Sequence, residues 1–248
     1  YYERIVYSLK PLPGNTCRII FDVEENPLAF AKLGVNYNSF TGISLIGNLT
    51  SRNFFTPYSR SMVTVNVGEN LRIRSEHLQF FGKFKTLSIS TMVQAEAQKF
   101  NTYDKFNKDG QYKQNYFTAD VSSHWALMRK YAFGIGTRFE SFHYKPDITS
   151  KFEFSGNSSL VNSYVFLKLN TLSNAIYPKK GTKIDMEVGY VYGQQQDLEY
   201  FQDGNLITNL DSLGFSFHNF YRTKFNYEHY IPIAKRFTFT TQIQAGIN

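Results

Sequence analysis

Asn170-Thr171-Leu172-Ser173-Asn174-Ala175-Ile176-Tyr177-Pro178-Lys179-Lys180-Gly181-Thr182 separates two runs whose side chains alternate in the manner of β-strands. Pro178 fixes one backbone angle and removes an amide donor, and Gly181 is free to take positive φ before the chain re-enters a ladder. Both features end a strand, so the stretch predicts a hairpin turn. After it, Ile184, Met186, Val188, Tyr190 and Tyr192 fall on one face, opposite Asp185, Glu187 and Gly189. The period is two, the signature of a strand with one apolar and one polar face.

The same period extends in both directions. Downstream, Tyr221, Thr223, Phe225 and Tyr227 oppose Arg222, Lys224, Asn226 and Glu228, and Phe237, Phe239, Thr241, Ile243 and Ala245 make a last apolar face. Upstream, Tyr131, Phe133, Ile135, Thr137 and Phe139 oppose Gly134, Gly136, Arg138 and Glu140, and Leu87, Ile89, Thr91, Val93, Ala95 and Ala97 oppose Ser88, Ser90, Gln94 and Glu96. Leu33, Val35 and Tyr37, then Ile43, Leu45 and Leu49, read likewise on either side of a Ser-Phe-Thr-Gly turn, and Met62–Asn70 and Arg72–Phe81 follow as strands. The pattern predicts an all-β fold of about eleven strands with no helix, in strands of about ten residues, longer than those of ordinary soluble sheets.

Composition narrows the class. The chain has 248 residues, 24 Phe and 18 Tyr but only 19% charged residues, and no window approaches the apolar length of a transmembrane helix. A mean hydropathy of −0.36 is compatible with a membrane barrel, because a barrel strand shows lipid only every second residue. The net charge of +7 raises the possibility of nucleic-acid binding, but the basic residues are scattered and accompany no recognition motif, so nucleic acid is not an expected partner. Cys17 is the only cysteine, which excludes an intramolecular disulfide framework.

Connection length tests the barrel reading. Counting strands from Ala29, long polar connections follow the fifth (Lys99–Gln114), seventh (Tyr144–Asn157) and ninth (Gln194–Phe217), whereas the Pro178 hairpin follows the eighth and Ile231–Arg236 makes a short turn after the tenth. Outer-membrane barrels sort their connections in this way, long on one side and short on the other. Strands in hydrocarbon direct apolar groups outward and pair every amide by closing the sheet. The polar faces, with Arg138, Glu140, Asp185, Glu187, Arg222, Lys224 and Glu228, are then the wall of a water-filled or plugged lumen. Tyr37, Tyr131, Tyr192 and Tyr230, near strand ends, are candidates for the interfacial girdles.

No catalytic constellation stands out. Asp185 and Glu187 share a face at a spacing an acid–base pair can use, but lumen charges need no catalytic role. His77, His124, His143, His218 and His229 show no metal-binding spacing, and no nucleophile elbow or phosphate loop occurs. The expectation is a non-enzymatic segment without metal or cofactor.

The aromatic-Pro-x-Lys-Gly-Thr turn, carried by Tyr177, Pro178, Lys180 and Gly181 and followed by a long alternating strand, resembles the hairpin of the BamA- and TamA-like outer-membrane assembly and secretion barrels. Tyr2–Leu9 and Arg18–Glu24, joined by Lys-Pro-Leu-Pro-Gly-Asn and ending in Phe-Asp-Val-Glu-Glu-Asn, resemble the last hairpin of a POTRA module, which places residues 1–26 in a periplasmic unit and residues 27–248 in the barrel. Gly34–Gly42, Asn48–Asn53 and Gly68–Arg72 look most like the barrel attached to patatin-like phospholipases. The resemblance implies a bacterial outer-membrane location with lipid around it, and a barrel that hosts or translocates a polypeptide through its lumen or the seam beside its first strand, Phe30–Asn38. That guest would be an attached patatin-like domain. An assembly factor of the insertase kind, and a passive porin or a soluble ligand-binding β domain, are the alternatives. The family's barrels have about sixteen strands, so the strands read here are expected to form part of the wall.

Overall fold

The computed structural model of the chain describes residues 2–14, 16–25, 27–38, 42–104, 107–128, 130–148, 152–174, 177–202, 205–207, 218–234 and 237–247. Every element among them is a strand. β1 (Tyr2–Leu12) and β2 (Thr16–Glu25) form a separate two-stranded hairpin. The remainder run as β3 (Ala29–Asn38), β4 (Gly42–Arg52), β5 (Ser59–Gly68), β6 (Leu71–Phe81), β7 (Leu87–Asp104), β8 (Asn107–Leu127), β9 (Tyr131–Ile148), β10 (Phe152–Asn170), β11 (Gly181–Gln202), the two-residue β12 (Asn205–Leu206), β13 (Phe220–Ala234) and β14 (Phe237–Ile247). From β3 to β14 each strand pairs antiparallel with the one before it, except that β12 pairs only with β11 and β13 takes its place in the order. β3 and β14 are the edges, and among the described residues they are not bonded to each other.

The β10–β11 turn is built by side chains. The Thr171 hydroxyl accepts from the Thr182 amide at 2.9 Å and donates to the Thr182 carbonyl at 3.0 Å. The Ser173 hydroxyl oxygen accepts from the amides of Lys179 and Lys180 at 3.1 and 3.3 Å, and the Asn170 side chain accepts from the Leu172 amide. Ala175 and Ile176 lie outside the described residues. Gly181 has φ +116°, and a Cβ there would stand 2.4 Å from the Thr171 carbonyl oxygen. Gly181→Ala is therefore expected to cost about 1–3 kcal/mol, the range for backbone strain of this kind. Chemical unfolding of the variant in detergent reads the loss, and an unchanged midpoint would contradict the turn geometry.

The sheet is not a globule. The accessible surface of the chain is 17876 Å², against about 11,000 Å² for a compact soluble chain of this mass. Leu33, Val35, Val121, Ile135, Val165 and Phe239 are exposed on one face, while the buried apolar side chains, including Tyr112, Leu160, Tyr164 and Phe166, stand on the other. Apolar groups out and polar groups in is the arrangement that hydrocarbon imposes.

Three connections differ from the sequence expectation. Lys99–Gln114 and Tyr144–Asn157 are mostly ladder: Gln98 pairs with Gln114 and Asn101 with Gln111, and Gly156 pairs with Tyr144. Gln194–Gln202 likewise continues β11 against β10, whereas residues 208–217 lie outside the described set. Their polarity reflects ladders that leave the membrane, where the outer face meets water in place of hydrocarbon but backbone pairing continues. All three ribbons still emerge on one side, opposite the short turns at 53–58, 82–86, 128–130 and 171–180. Ile231–Ala234 is strand rather than turn, with Pro232 opposite Thr238 beside a register shift, where a missing donor is tolerated. Lys235 and Arg236, like Ser39–Thr41 of the first turn, fall outside the described residues. In β1, Lys10–Leu12 also belongs to the ladder, leaving a tighter turn than the proline-rich connector suggested.

Candidate functional site: the charged inner wall

Strand parity sorts the charges completely. Between the short turns and the ribbons, the row of β9 through Tyr131, Ile135 and Phe139, and the rows of the other strands paired with it, hold no Asp, Glu, Lys or Arg among the described residues. The opposite rows hold Arg74, Glu76, Glu96, Asp120, Arg138, Glu140, Lys168, Asp185, Glu187, Arg222, Lys224 and Glu228, and parity puts Tyr230 there too. Tyr230 therefore belongs to the polar face, with its hydroxyl 3.5 Å from Glu228, and is not part of an outer girdle; Tyr37, Tyr131 and Tyr192 do face outward. Arg222 on β13 meets Glu140 on β9 at 2.8 Å, across three strand spacings or about 14 Å of wall. Side chains that converge over such a span stand on the concave, inner face.

On β8–β13 the described residues of the inner wall form three charged clusters. In the largest, Arg138 donates from Nε to Asp120 at 2.9 Å and from both terminal nitrogens to the two Glu187 oxygens at 3.2 and 3.3 Å. Lys224 approaches the same Glu187 at 3.6 Å. The Tyr164 hydroxyl donates to Asp120 at 2.7 Å, and the Arg138 guanidinium lies 4.7 Å from the Tyr164 ring centre. The second cluster joins Glu140 to Arg222 and to the Tyr116 hydroxyl at 2.9 Å. In the third, Lys183 bridges Glu228 at 3.0 Å and Asp185 at 3.4 Å. Asp120 and Glu140 are each only 7% exposed, so these bonds are made in a poorly solvated place where an unpaired charge is costly.

Glycine makes room for this packing. A Cβ on Gly136 would sit 2.6 Å from the Tyr164 ring and hydroxyl, and one on Gly189 would sit 2.2 Å from the Asn162 amide oxygen. The aromatic ring can lie flat on the wall only because its neighbours have no side chain. A cavity of about 580 Å³ opens over Arg138, Tyr164, Lys168, Glu187 and Lys224.

Toward the ribbons the inner face becomes aromatic. Tyr112 stacks between Phe100 and Phe154, with ring centres at 5.5 and 4.7 Å; Tyr144 meets Phe154 edge-on at 5.1 Å, and Tyr200 lies at 6.3 Å from Phe154. The Phe154 amide donates to the Tyr112 hydroxyl at 3.2 Å. Each such pair contributes about 0.5–1.5 kcal/mol beyond its burial, so the ribbons have a small core of their own. On their outer face Asp147 accepts from Lys113 and from Lys99, the latter at 3.1 Å. Hydrogen bonds from Lys113 and Lys99 hold its carboxyl below the usual carboxylate value. A depressed pKa keeps the contact complete above the ordinary carboxylate range and loses it as the pH falls through the lowered value. Amide exchange in residues 99–104 should accordingly be speeded by Asp147→Asn at neutral pH, while the native chain loosens there only in strong acid. Equal protection of both proteins at neutral pH would contradict this tie.

All seven candidate residues read from the sequence thus lie on the inner wall, with Arg138, Glu187 and Lys224 in one cluster, Glu140 and Arg222 in the second, and Asp185 and Glu228 in the third. The hairpin residues Tyr177, Pro178, Lys180 and Gly181 stand apart at the short-turn side, with Tyr177 largely exposed. Asp120, Tyr116 and Tyr164 were missed. Asp120 sits between Ala119 and Val121, and strand parity alone would have put it on the polar face, while the register sets it opposite Arg138.

A family sequence model described as the OMP85 superfamily matches residues 17–248. No curated protein matches the chain. Among solved structures, BamA from Haemophilus ducreyi lacking POTRA domains 1–3 aligns with a TM-score of 0.63 at 14% identity, covering 99% of this chain and 46% of that one. The chain therefore spans less than half the length of that structure, and at this identity the likeness is one of fold. The matched residues include the whole of the sheet whose charges face inward and whose apolar rows face outward. The chain belongs to the OMP85 superfamily, and its large sheet is wall of a bacterial outer-membrane β-barrel.

Proposed function

We propose that this barrel hosts or translocates a polypeptide, through its lumen or along the seam beside β3, and does no chemistry of its own. The observation that carries the reading is the concave wall itself, where polar groups from β6 to β13 surround a cavity of about 580 Å³ while lipid-compatible side chains cover the other face. A wall whose carboxylates are satisfied by neighbouring cations can meet a moving chain without reorganising, and an edge such as β3 can add a strand of another chain by main-chain pairing. The short turns face the periplasm in outer-membrane barrels, so the guest enters from that side. Residues 1–26 are then the end of a POTRA-like periplasmic module, in which a packing surface covers the apolar row Ile5, Tyr7, Leu9, Ile19, Phe21 and Val23 that this hairpin exposes. The narrower form of the proposal gives the guest as an attached patatin-like lipid hydrolase.

Photocrosslinkers at Arg222, Lys224 and Glu228 on the inner wall and at Val35 on β3 test it in native membranes. Polypeptide adducts at these positions, with only lipid adducts at the outward Val165, are expected. Lipid or no adducts at all inner positions would sink the proposal, and peptide mass mapping of the full-length protein decides the attached hydrolase.

A further inference from the structure

We propose that the inner wall of β3–β6 is a cationic track that receives an extended acidic segment of the guest polypeptide; this rests on the reading that the barrel hosts a polypeptide. The inner rows of these four strands carry Lys32, Arg52, Arg60, Arg72 and Arg74 against one carboxylate, Glu76, which Arg74 already binds. The ion pairs formed among the described residues include none of Lys32, Arg52 or Arg60. Arg52 and Arg60 are direct cross-strand partners at the short-turn end. Like charges set opposite each other destabilise a sheet, and among the described residues no carboxylate pairs with either arginine, so the arrangement suits an anionic visitor.

Register gives the track its shape. Lys32, Asn48, Thr64 and Arg74 form one row across β3–β6, and Arg72 continues two residues higher, opposite Asn66 and then Ile46. From Arg52 to Ile46 along β4 is six residues, or about 20 Å. The track thus climbs from the short-turn mouth along an extended chain of similar length; a single phosphate-sized anion would engage one end only. Burial adds to the polarity. In the adjoining pair Arg72 is 47% exposed and Glu96 only 8%, and across the wall Lys224 is 51% exposed over Glu187 at 18%. In these two pairs the carboxylate lies in the wall and the cation projects, so an approaching chain meets positive charge there even though the ion pair is balanced.

The test uses the full-length protein in planar lipid bilayers, with a 14-residue peptide of alternating Glu and Ser added at the short-turn side and current block as the readout. The Glu–Ser peptide is expected to block at a concentration about tenfold or more below its Asn–Ser counterpart, a preference that fades when salt shortens the screening length. The combined variant Lys32→Gln, Arg52→Gln and Arg60→Gln should remove the preference, and Asn36→Lys, on an exposed inner position of β3, should strengthen it. Should the triple variant fail to fold, the single variants and Asn36→Lys carry the comparison. Equal block by both peptides, or a preference indifferent to all these substitutions, overturns the track while leaving the hosting of polypeptides intact. Absence of block by either peptide overturns both, and displacement of the Glu–Ser peptide by equimolar inorganic diphosphate marks a small-anion site and overturns the acidic-segment assignment.

Discussion

Replacing Arg138 by methionine is expected to lower the stability of the folded wall by about 3–5 kcal/mol, the cost of stranding buried charge. Methionine retains most of the side-chain volume, so the loss is electrostatic. Asp120 would keep only the Tyr164 hydroxyl, and Glu187 only the more distant Lys224. The check is urea unfolding in lipid vesicles, with gel mobility before and after heating as a second reading. Adding Asp120→Asn and Glu187→Gln to the methionine variant should restore part of the loss, because neutral amides cost less to bury than unpaired carboxylates. A methionine variant within about 1 kcal/mol of the native protein would mean that water reaches these carboxylates freely and that the pairing is incidental.

Gly136→Val is the second large effect. Its Cβ would overlap the Tyr164 ring at 2.6 Å and approach the Ser122 Cβ at 2.8 Å, so Tyr164 must leave its place and release Asp120. Overpacking of this kind costs about 1–3 kcal/mol and a hydrogen bond to a charged group about 1.5–3 kcal/mol. In the background of Tyr164→Ala the same valine has no ring to displace, and its cost should fall by at least about 1 kcal/mol, the coupling expected of residues in contact. Additive costs in the double variant would refute the contact.

The fold was legible because membranes enforce parity. Ile135, Thr137 and Phe139 against Gly136, Arg138 and Glu140 fixed both the strand and its two faces, and the same alternation placed all seven wall residues inward. Parity failed where hydrocarbon ends. From Lys99 to Gln114 polar side chains occupy both faces, and polarity looks like a loop although the backbone remains paired. Aromatic residues two apart, such as Phe142 and Tyr144 in β9, were the surviving trace of the inner row. Tyr230 was misplaced because proximity to a strand end was weighed above its spacing from Glu228. The Tyr164–Gly136 contact was beyond reach for a different reason. It joins residues 28 positions apart on neighbouring strands, and only the register decides which glycine meets which ring.

The paired ribbons restrict how such a protein can change length over evolutionary time. β7–β11 are 18–22 residues long, and hydrocarbon takes up about ten of them. Inserting one residue into β8 between Lys113 and the membrane would turn every side chain on the ribbon side of the insertion to the opposite face relative to the wall, carrying the Tyr112 ring out of its stack and Lys113 away from Asp147. Descendants with taller or shorter ribbons must therefore gain or lose residues in twos on both partners, absorb the odd residue in a bulge, or confine the change to the tips. Variation at the cell surface should thus be concentrated at the tips and appear in the stems as paired steps.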